Sequence, residues 1–214
     1  ANPTGTVIPP DELAAIGSWC AASGVRLISD EVYHGLVYDG SPATSCAWQT
    51  SREAVVVNSF SKYFAMTGWR LGWMLVPDGL KRAVDCLTGN FTICPPTLAQ
   101  EAAVAAFTPE SISEADALLV GYAVNRALLL DGLRGIGIDR LAPTDGAFYV
   151  YADVSHLTTD SLGFCSKLLT DTGVAIAPGV DFDTVRGGAH VRLSFAGPTG
   201  DIEEALRRIG GWLA

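Results

Sequence analysis

Apolar and polar residues alternate with two different periods along this 214-residue chain. In its N-terminal part, short runs rich in β-branched residues and bounded by turn residues predict buried strands at 25–29, 54–59 and 70–76. A helix is predicted over 11–23, because prolines precede it, acidic residues fill its first turn and Gly24 follows it. Since strand and helix patterns alternate, we expect an α/β fold with a mostly parallel sheet.

One long helical pattern spans 111–135, with apolar residues three or four positions apart. Strand and helix patterns follow it in the order strand 146–154, helix 161–172, strand 173–179, strand 189–197 and helix 201–213. The change in the order of strand and helix patterns after the long helix predicts two domains. Residues 1–127 would belong to a large α/β domain, and residues 128–214 would form a small α+β domain.

The composition predicts a sizeable core, since 49% of the residues are apolar and 17% are charged. Acidic residues outnumber basic ones by 23 to 14, and the net charge of −9 argues against nucleic acid or an anionic membrane as a partner. No apolar run approaches the roughly 20 residues that span a bilayer. The five scattered cysteines and three histidines lack metal-ligand spacing, so we expect reduced thiols, no metal site and a cytoplasmic location.

Polar groups that could carry chemistry follow the predicted strands, where ligands bind in open α/β sheets. Asp30 follows the first strand, Ser59 and Lys62 follow the second, and Arg70 lies beyond the next turn. An amine that acts as a covalent nucleophile needs cationic or apolar surroundings to be reactive. Lys62 has Arg70 and several aromatic residues near it in the sequence, which favours a chemical role.

The same residues suit one particular cofactor. Ser59, Ser61 and Arg70 could bind a phosphate, with the arginine as a bidentate donor. The Asp30 carboxylate could keep a ring nitrogen protonated, because opposite charges stabilise each other. A lysine for a Schiff base, a phosphate site and a carboxylate for a pyridinium are the groups that pyridoxal phosphate requires. The sequence therefore indicates a pyridoxal-phosphate site around Lys62.

Four motifs support this interpretation: "NPTG" (2–5), "SDEVYHGL" (29–36), "NSFSKYFAMTGWRLGW" (58–73) and "VRLSFA" (191–196). Together they resemble the successive signatures of class I and II aminotransferases, which are fold-type I pyridoxal-phosphate enzymes of the aspartate-aminotransferase superfamily. Their order and separations are family-like, so the resemblance covers the whole chain. It implies part of the large cofactor-binding domain of that fold, followed by the small C-terminal domain.

The resemblance implies that an amino group moves between an amino acid and a 2-oxo acid through a Schiff base on Lys62. This lysine would also move the proton of the substrate Cα. Asp30 would pair with the pyridinium nitrogen, and Tyr33 and Asn2 would bind the phenolic oxygen of the cofactor. Lys62, Asp30 and Tyr33 are thus the expected catalytic residues.

The remaining roles concern the phosphate and the substrate. The resemblance implies that Ser59 and Arg70 bind the cofactor phosphate, with Ser61 as an additional donor. Arg192 would clamp the α-carboxylate of the substrate, and Asn2 would contact the substrate as well. Gly68 would let the chain turn tightly beside the phosphate.

Family members also carry an N-terminal half, which supplies a Gly-rich phosphate loop, a ring that stacks on the cofactor and further strands. These features are not found here, so we expect the C-terminal part of such an enzyme, inactive by itself. The strand at 71–76 is expected to lack its antiparallel neighbour. The full-length protein is expected to be a homodimer.

Two alternatives stay open from the sequence. One is a lyase of the same fold that carries out β-elimination; Tyr33 favours transfer only over acyl-transferring relatives, which often have histidine there. The other is the effector-binding domain of a transcription regulator, which would need a DNA-binding module upstream. The choice of amino acid is also open, because Arg192 indicates only an α-carboxylate.

Overall fold

The computed structural model describes all residues, 1–214, and the chain divides into two compact units. The first unit comprises residues 7–118, and the second comprises residues 1–6 and 119–214. The predicted division into domains 1–127 and 128–214 stays a prediction.

The first unit contains a small sheet and its helices. Its elements are α1 (Pro10–Ala22), β1 (Ile28–Asp30), β2 (Val55–Ser59), β3 (Gly72–Leu75), α2 (Asp78–Phe91), α3 (Thr97–Ala105) and the beginning of α4 (Pro109–Gly135). The predicted helix and three strands are therefore present, although β1 lies later in the chain than the predicted strand 25–29 and ends with Asp30.

The sheet of the first unit has the order β1-β2-β3. Strands β1 and β2 are parallel, with Asp30 opposite Val57, whereas β2 and β3 are antiparallel, with Ser59 opposite Gly72. The expectation of a mostly parallel sheet is thus correct for one of the two pairings. Strand β3 pairs with β2 and lies at the edge of this sheet. The antiparallel neighbour that strand 71–76 is expected to lack would lie on its other side, and that expectation stays a prediction.

Two apolar clusters stabilise the first unit. Leu13 of α1 packs with Ala47, Ala54 and Val56, so α1 covers one part of the sheet. Phe60 packs with Ala103 of α3 and with Ala106, which directly follows α3, and further aromatic residues surround it. Burial of such side chains is the main favourable contribution to folding.

Helices α2 and α3 have no counterpart among the predicted elements. Both begin directly after a proline, Pro77 and Pro96, which is a helix-start signal that the sequence does contain. No residue of α2 is buried in this structure. The sequence does carry an amphipathic pattern there, because Leu80, Val84, Leu87 and Phe91 recur three or four positions apart.

The second unit contains the rest of α4 and a second sheet. Its further elements are β4 (Tyr149–Asp153), α5 (Ser161–Thr172), β5 (Ala177–Pro178), β6 (His190–Ser194) and α6 (Thr199–Leu213). The sheet order is β4-β6-β5, and both pairings are antiparallel. Helix α5 has the predicted bounds, because Asp160 accepts a hydrogen bond from Gly163 N at its start and Gly173 takes a φ of 74° at its end.

Asn125 fixes α4 to the segment between β6 and α6. Its buried amide nitrogen donates to Phe195 O and Gly197 O, at 3.1 and 2.9 Å. Its amide oxygen accepts from Thr199 Oγ1 at 2.7 Å. All the polar atoms of this buried side chain therefore have partners, as buried polar groups require.

None of the helices is long and apolar enough to cross a membrane. No group of three or more histidine, cysteine, aspartate or glutamate side chains is arranged to hold a metal ion.

Candidate active site

The carboxyl ends of β1 and β2 carry Asp30 and Ser59. Parallel strands end at the same edge of a sheet, and Asp30 lies opposite Val57, two residues before Ser59. Because side chains alternate along a strand, Asp30, Val57 and Ser59 point to the same face. The register thus puts a carboxylate and a hydroxyl on one face at one edge of the sheet.

Tyr33 and Lys62 come together beside this edge. The turn after β1 is closed by hydrogen bonds from Val32 N to Asp30 Oδ1 and from Leu36 N to Tyr33 O. The ring centroid of Tyr33 lies 5.6 Å from Lys62 Nζ, which is within the range of a cation–π contact. Lys62 and Tyr33 are both half-buried.

The loop that carries Lys62 is closed by its own backbone. Phe60 N donates to Leu71 O at 3.1 Å, and Met66 N donates to Phe60 O at 3.0 Å. Within this loop, Ala65 N donates to Lys62 O at 3.1 Å. These bonds hold the lysine backbone at the end of β2 independently of any ligand.

The predicted phosphate-binding residues lie in the same loop. Ser59 Oγ accepts from Ser61 N at 3.0 Å and donates to Leu71 O at 3.3 Å. Arg70 is exposed, and its Nη1 donates to Thr67 O at 2.8 Å. The long bond from Ser59 to Leu71 is weak, so its hydroxyl proton can turn to an anion at small cost.

The tight turn does not depend on Gly68, in contrast to the expectation from the sequence. Gly68 has no positive φ, and Ala65 and Arg70 take the left-handed conformation instead, with φ of 54° and 55°. A non-glycine residue in this region costs free energy. The hydrogen bonds of the loop hold Ala65 and Arg70 in this left-handed conformation. Gly72 is the glycine with a steric role, because a Cβ there would lie 2.6 Å from Asn58 O.

Aromatic residues pack under the loop. The ring of Phe60 lies 4.8 Å from Trp73 and 5.2 Å from Phe64, measured between centroids. Trp69, by contrast, is 46% exposed. The two tryptophans therefore differ in burial, because Trp73 packs against Phe60 and Trp69 is exposed to solvent.

Tyr63 is a hydrogen-bond donor in this region. Its hydroxyl donates to Asp116 Oδ1 at 2.7 Å. Burial raises the pKa of Tyr63 to about 12, and the hydrogen bond and negative charge of Asp116 add to the effect. Gly35 is required beside it, because a Cβ there would lie 2.9 Å from Tyr63 Cδ2 and the φ of Gly35 is 89°. Tyr63 is therefore protonated at neutral pH and cannot serve as a base.

Glu31 is a structural residue of the site that the sequence analysis missed. It lies between Asp30 and Tyr33, and its side chain is only 8% exposed. Glu31 Oε1 accepts hydrogen bonds from Ala47 N at 2.8 Å and from Ser29 Oγ at 3.1 Å. The carboxylate thus ties the turn to the 46–47 segment. Only the three-dimensional structure reveals this partner, because Ala47 lies 16 residues away.

Replacing Glu31 by alanine is expected to destabilise the protein by about 1–3 kcal/mol, because Ala47 N would lose its acceptor in a buried place. Glu31→Gln keeps an oxygen acceptor and is expected to lose less. Urea unfolding of the full-length protein measures both changes. Glu53→Ala is the matched control, since the Glu53 side chain is 79% exposed. Equal losses in Glu31→Ala and Glu53→Ala would contradict the assigned role.

Asn2 and Arg192 come together in the second unit. Arg192 Nη1 donates to Asn2 Oδ1 at 2.7 Å. The backbone of the first residues is held by Thr144 N donating to Thr4 O and by Gly146 N donating to Gly5 O. Asn2 therefore has a fixed place beside Arg192. Tyr33, which was expected to bind the same phenolic oxygen as Asn2, belongs to the first unit.

The residues present fit pyridoxal phosphate by the chemistry of their donors. One sheet edge and its loop offer a carboxylate, a primary amine, two hydroxyls and a guanidinium, from Asp30, Lys62, Ser59, Ser61 and Arg70. These are the groups that a pyridinium, an aldehyde and a phosphate need. In the second unit, Arg192 Nε is buried without a hydrogen-bond partner, and most of the guanidinium donors are not used by Asn2.

Comparisons with known proteins agree with these observations. A valine–pyruvate aminotransferase of Mycobacterium tuberculosis is 82% identical over 213 residues, which cover 100% of this chain and 55% of that protein. An aspartate/prephenate aminotransferase of Thermus thermophilus is 36% identical over 212 residues, covering 97% and 53%. The chain thus spans about half the length of the curated relatives it matches.

Solved structures show the same fold. A crystal structure of an aminotransferase from M. tuberculosis matches with a TM-score of 0.98 at 82% identity, covering 100% of this chain and 55% of that one. A double mutant of T. thermophilus aspartate aminotransferase matches with a TM-score of 0.89 at 33% identity, covering 99% and 54%. The sequence model of the family described as aminotransferase class I and II matches residues 1–209. The chain therefore belongs to the class I and II aminotransferase family.

Proposed function

We propose that the full-length protein carrying this chain is a pyridoxal-phosphate-dependent aminotransferase that exchanges amino and oxo groups between an amino acid and a 2-oxo acid. The observation that carries the proposal is the half-buried Lys62, next to Tyr33, on a loop that leaves the same sheet edge as Asp30. Membership of the family supports it, because class I and II aminotransferases depend on pyridoxal phosphate.

In the first unit, five kinds of side chain would hold the cofactor. Lys62 would bind its aldehyde carbon through Nζ, and Tyr33 would donate to its phenolic oxygen. The Asp30 carboxylate would keep the ring nitrogen protonated by the attraction of opposite charges. Ser59, Ser61 and Arg70 would bind the phosphate.

When bound, pyridoxal phosphate supplies an electron sink for the electron pair that the substrate Cα keeps after losing its proton. The substrate amine would replace Lys62 Nζ at the aldehyde carbon, and the amine of Lys62 so released would take this proton from Cα as a base and return a proton as an acid. Asn2 would bind the phenolic oxygen of the cofactor and contact the substrate. Arg192 would bind the substrate α-carboxylate. This contact orients the Cα–H bond in the geometry that proton transfer requires.

We propose valine and pyruvate as a substrate pair. The support is the M. tuberculosis relative, which carries these substrates in its name and is 82% identical over the whole chain. The side chain of the amino acid is not recognised by any residue discussed above. The substrate pair is therefore a separate hypothesis from amino transfer itself.

The test is to incubate the full-length protein with ¹⁵N-valine and pyruvate and to follow the label by mass spectrometry. We expect ¹⁵N-alanine and 3-methyl-2-oxobutanoate in equal amounts, since amino and oxo groups exchange one for one. Labelled alanine from another amino acid, but not from valine, would contradict the substrate pair only. A lyase is tested with ¹⁵N-cysteine, whose thiol can leave from Cβ: labelled ammonia, pyruvate and sulfide from cysteine, with no labelled alanine from any amino acid, would support β-elimination and contradict amino transfer.

The relatives described above support the enzyme over both alternatives, because each is named as an aminotransferase. Cofactor binding without turnover of any amino acid would nevertheless favour an effector-binding domain. The labelling experiment covers this outcome too, when it is run with a panel of amino acids.

A homodimer in the cytoplasm is the assembly and location that we propose. Large apolar side chains are exposed on and between α2 and α3, including Phe91, Ile93 and Leu98 at about 80% exposure. In a chain that spans about half the length of its relatives, such a patch favours burial against the rest of the full-length chain or against a second copy. Light scattering on the full-length protein should give twice the mass of one chain. The cytoplasmic location is supported by five free cysteines and is tested by cell fractionation.

A further inference from the structure

Two aromatic rings lie against the guanidinium of Arg192. Its Cζ is 4.3 Å from the ring centroid of Tyr149 and 4.6 Å from that of Phe182, over the face of each ring. The rings come from different parts of the second unit, since Tyr149 begins β4 and Phe182 follows the turn at 179–181. A guanidinium above an aromatic ring is attracted by the partial negative charge on the face of that ring.

Hydrogen bonds alone leave the guanidinium poorly fixed. Its Nη1 donates to Asn2 Oδ1 at 2.7 Å, and its Nε is buried without a partner. A single bond at one nitrogen permits the planar group to rotate, and long side chains lose considerable entropy when they are fixed. The direction in which the remaining N–H groups point is therefore determined largely by the rings.

The loop that carries Phe182 is firmly built. Phe182 N and Asp183 N both donate to Gly179 O at 3.0 Å. Asp183 Oδ1 accepts from Val185 N and Arg186 N, at 2.9 and 3.0 Å. The two sides of the loop are in close contact, because a Cβ on Gly179 would lie 2.5 Å from Gly187 O. The ring of Phe182 thus has a fixed backbone support.

We propose that Phe182 is a positioning residue, which holds the Arg192 guanidinium in the orientation that binds a substrate α-carboxylate. This inference rests on the proposed function of Arg192. The ring covers a face of the guanidinium, so a carboxylate is directed to the in-plane N–H groups, where two parallel hydrogen bonds are possible. Phe182 itself does not contact the carboxylate.

Phe182 is a better test position than Tyr149. Tyr149 is only 7% exposed and belongs to the core, so its replacement would disturb packing as well as Arg192. Phe182 is half-buried in a loop with its own hydrogen bonds. Phe164, another half-buried phenylalanine of this unit, packs against Trp212 and supplies a matched control.

The experiment measures the binding of two fragments of valine to the full-length holoenzyme by calorimetry. One is 3-methylbutanoate, which is valine without its amino group, and the other is 2-methylpropylamine, which is valine without its carboxylate. We expect Phe182→Leu to weaken 3-methylbutanoate about 5- to 10-fold and to leave the amine unchanged. Phe182→Tyr, which keeps an aromatic face, and Phe164→Leu should both bind like the native protein. In turnover, Phe182→Leu should raise KM more than it lowers kcat.

The outcomes separate this inference from the proposed function. If Arg192→Ala leaves 3-methylbutanoate affinity unchanged, the proposed role of Arg192 is wrong. If Arg192→Ala weakens binding but Phe182→Leu does not, only the inference about Phe182 is overturned. Equal loss of both fragments in Phe182→Leu would indicate a general structural effect and would also overturn it. Phe182→Met, which keeps the bulk without the ring, replaces Phe182→Leu if the latter does not fold.

Discussion

Lys62→Ala is expected to lower the rate of amino transfer by at least about 10³-fold. The variant loses both the amine that binds the cofactor aldehyde and the base that moves the Cα proton, and general acid–base catalysis alone contributes roughly 10² to 10⁴-fold. Labelled alanine formed from ¹⁵N-valine and pyruvate by the full-length protein gives the rate. A variant that keeps a substantial part of the native rate would refute the assignment of Lys62.

Two further measurements make this result specific. Borohydride reduction of the native holoenzyme, followed by peptide mass spectrometry, should find the cofactor mass on the peptide that contains Lys62. Lys81→Ala is the matched control, because Lys81 is an exposed lysine of the same unit that pairs with Asp78 on the surface. It should keep the native rate. An adduct on Lys81 or Lys167 in place of Lys62 would assign the covalent site to another lysine.

Arg192→Ala is expected to have the second largest effect, an increase of about 10²-fold in the KM for both valine and pyruvate. Removing one partner of a hydrogen-bonded charge pair costs about 2–5 kcal/mol, and each 1.4 kcal/mol is a factor of about ten. Arg192→Lys should lie between the native protein and the alanine variant, because lysine keeps the charge but not the planar fork. Steady-state kinetics with each substrate varied in turn measures these changes.

The control for Arg192 is Arg207→Ala. Arg207 belongs to the same unit, and its exposed side chain pairs with Glu204 on the surface of α6. It should leave both KM values within about twofold, as expected for an exposed pair. A KM for valine that is the same in the native protein and in Arg192→Ala would show that the carboxylate is bound elsewhere.

Local signals explain the parts of the fold that the sequence predicted well. Helix α5 has the predicted bounds because an aspartate caps its start and a glycine in the left-handed conformation ends it. Both signals depend only on residues close in the sequence. The long pattern at 111–135 became α4, which begins two residues earlier. Helices α2 and α3 are not among the predicted elements, although prolines mark their starts and the apolar residues of α2 recur three or four positions apart.

Non-local contacts explain what the sequence could not give. The antiparallel partner of β3 depends on how the 60–71 loop closes, and that closure requires Ala65 and Arg70 in a conformation that their residue types rarely adopt. Glu31 stood next to predicted site residues, yet its partner Ala47 is visible only after folding. Phe182 carries no motif of its own, and its contact with Arg192 depends on the turn at 179–181.

The sequence by itself therefore determined the chemistry of this protein: the amine, the carboxylates, the hydroxyls and the guanidinium groups, in an order that resembles one family. Residue types and short spacings are sufficient for that, because reactivity belongs to individual side chains. Only the tertiary structure decided how those groups are held. The register of β1 and β2 puts Asp30 and Ser59 on one face, and the fold brings Tyr33 to Lys62 and Phe182 to Arg192. Orientation arises from contacts between distant residues, and such contacts exist only in the folded chain.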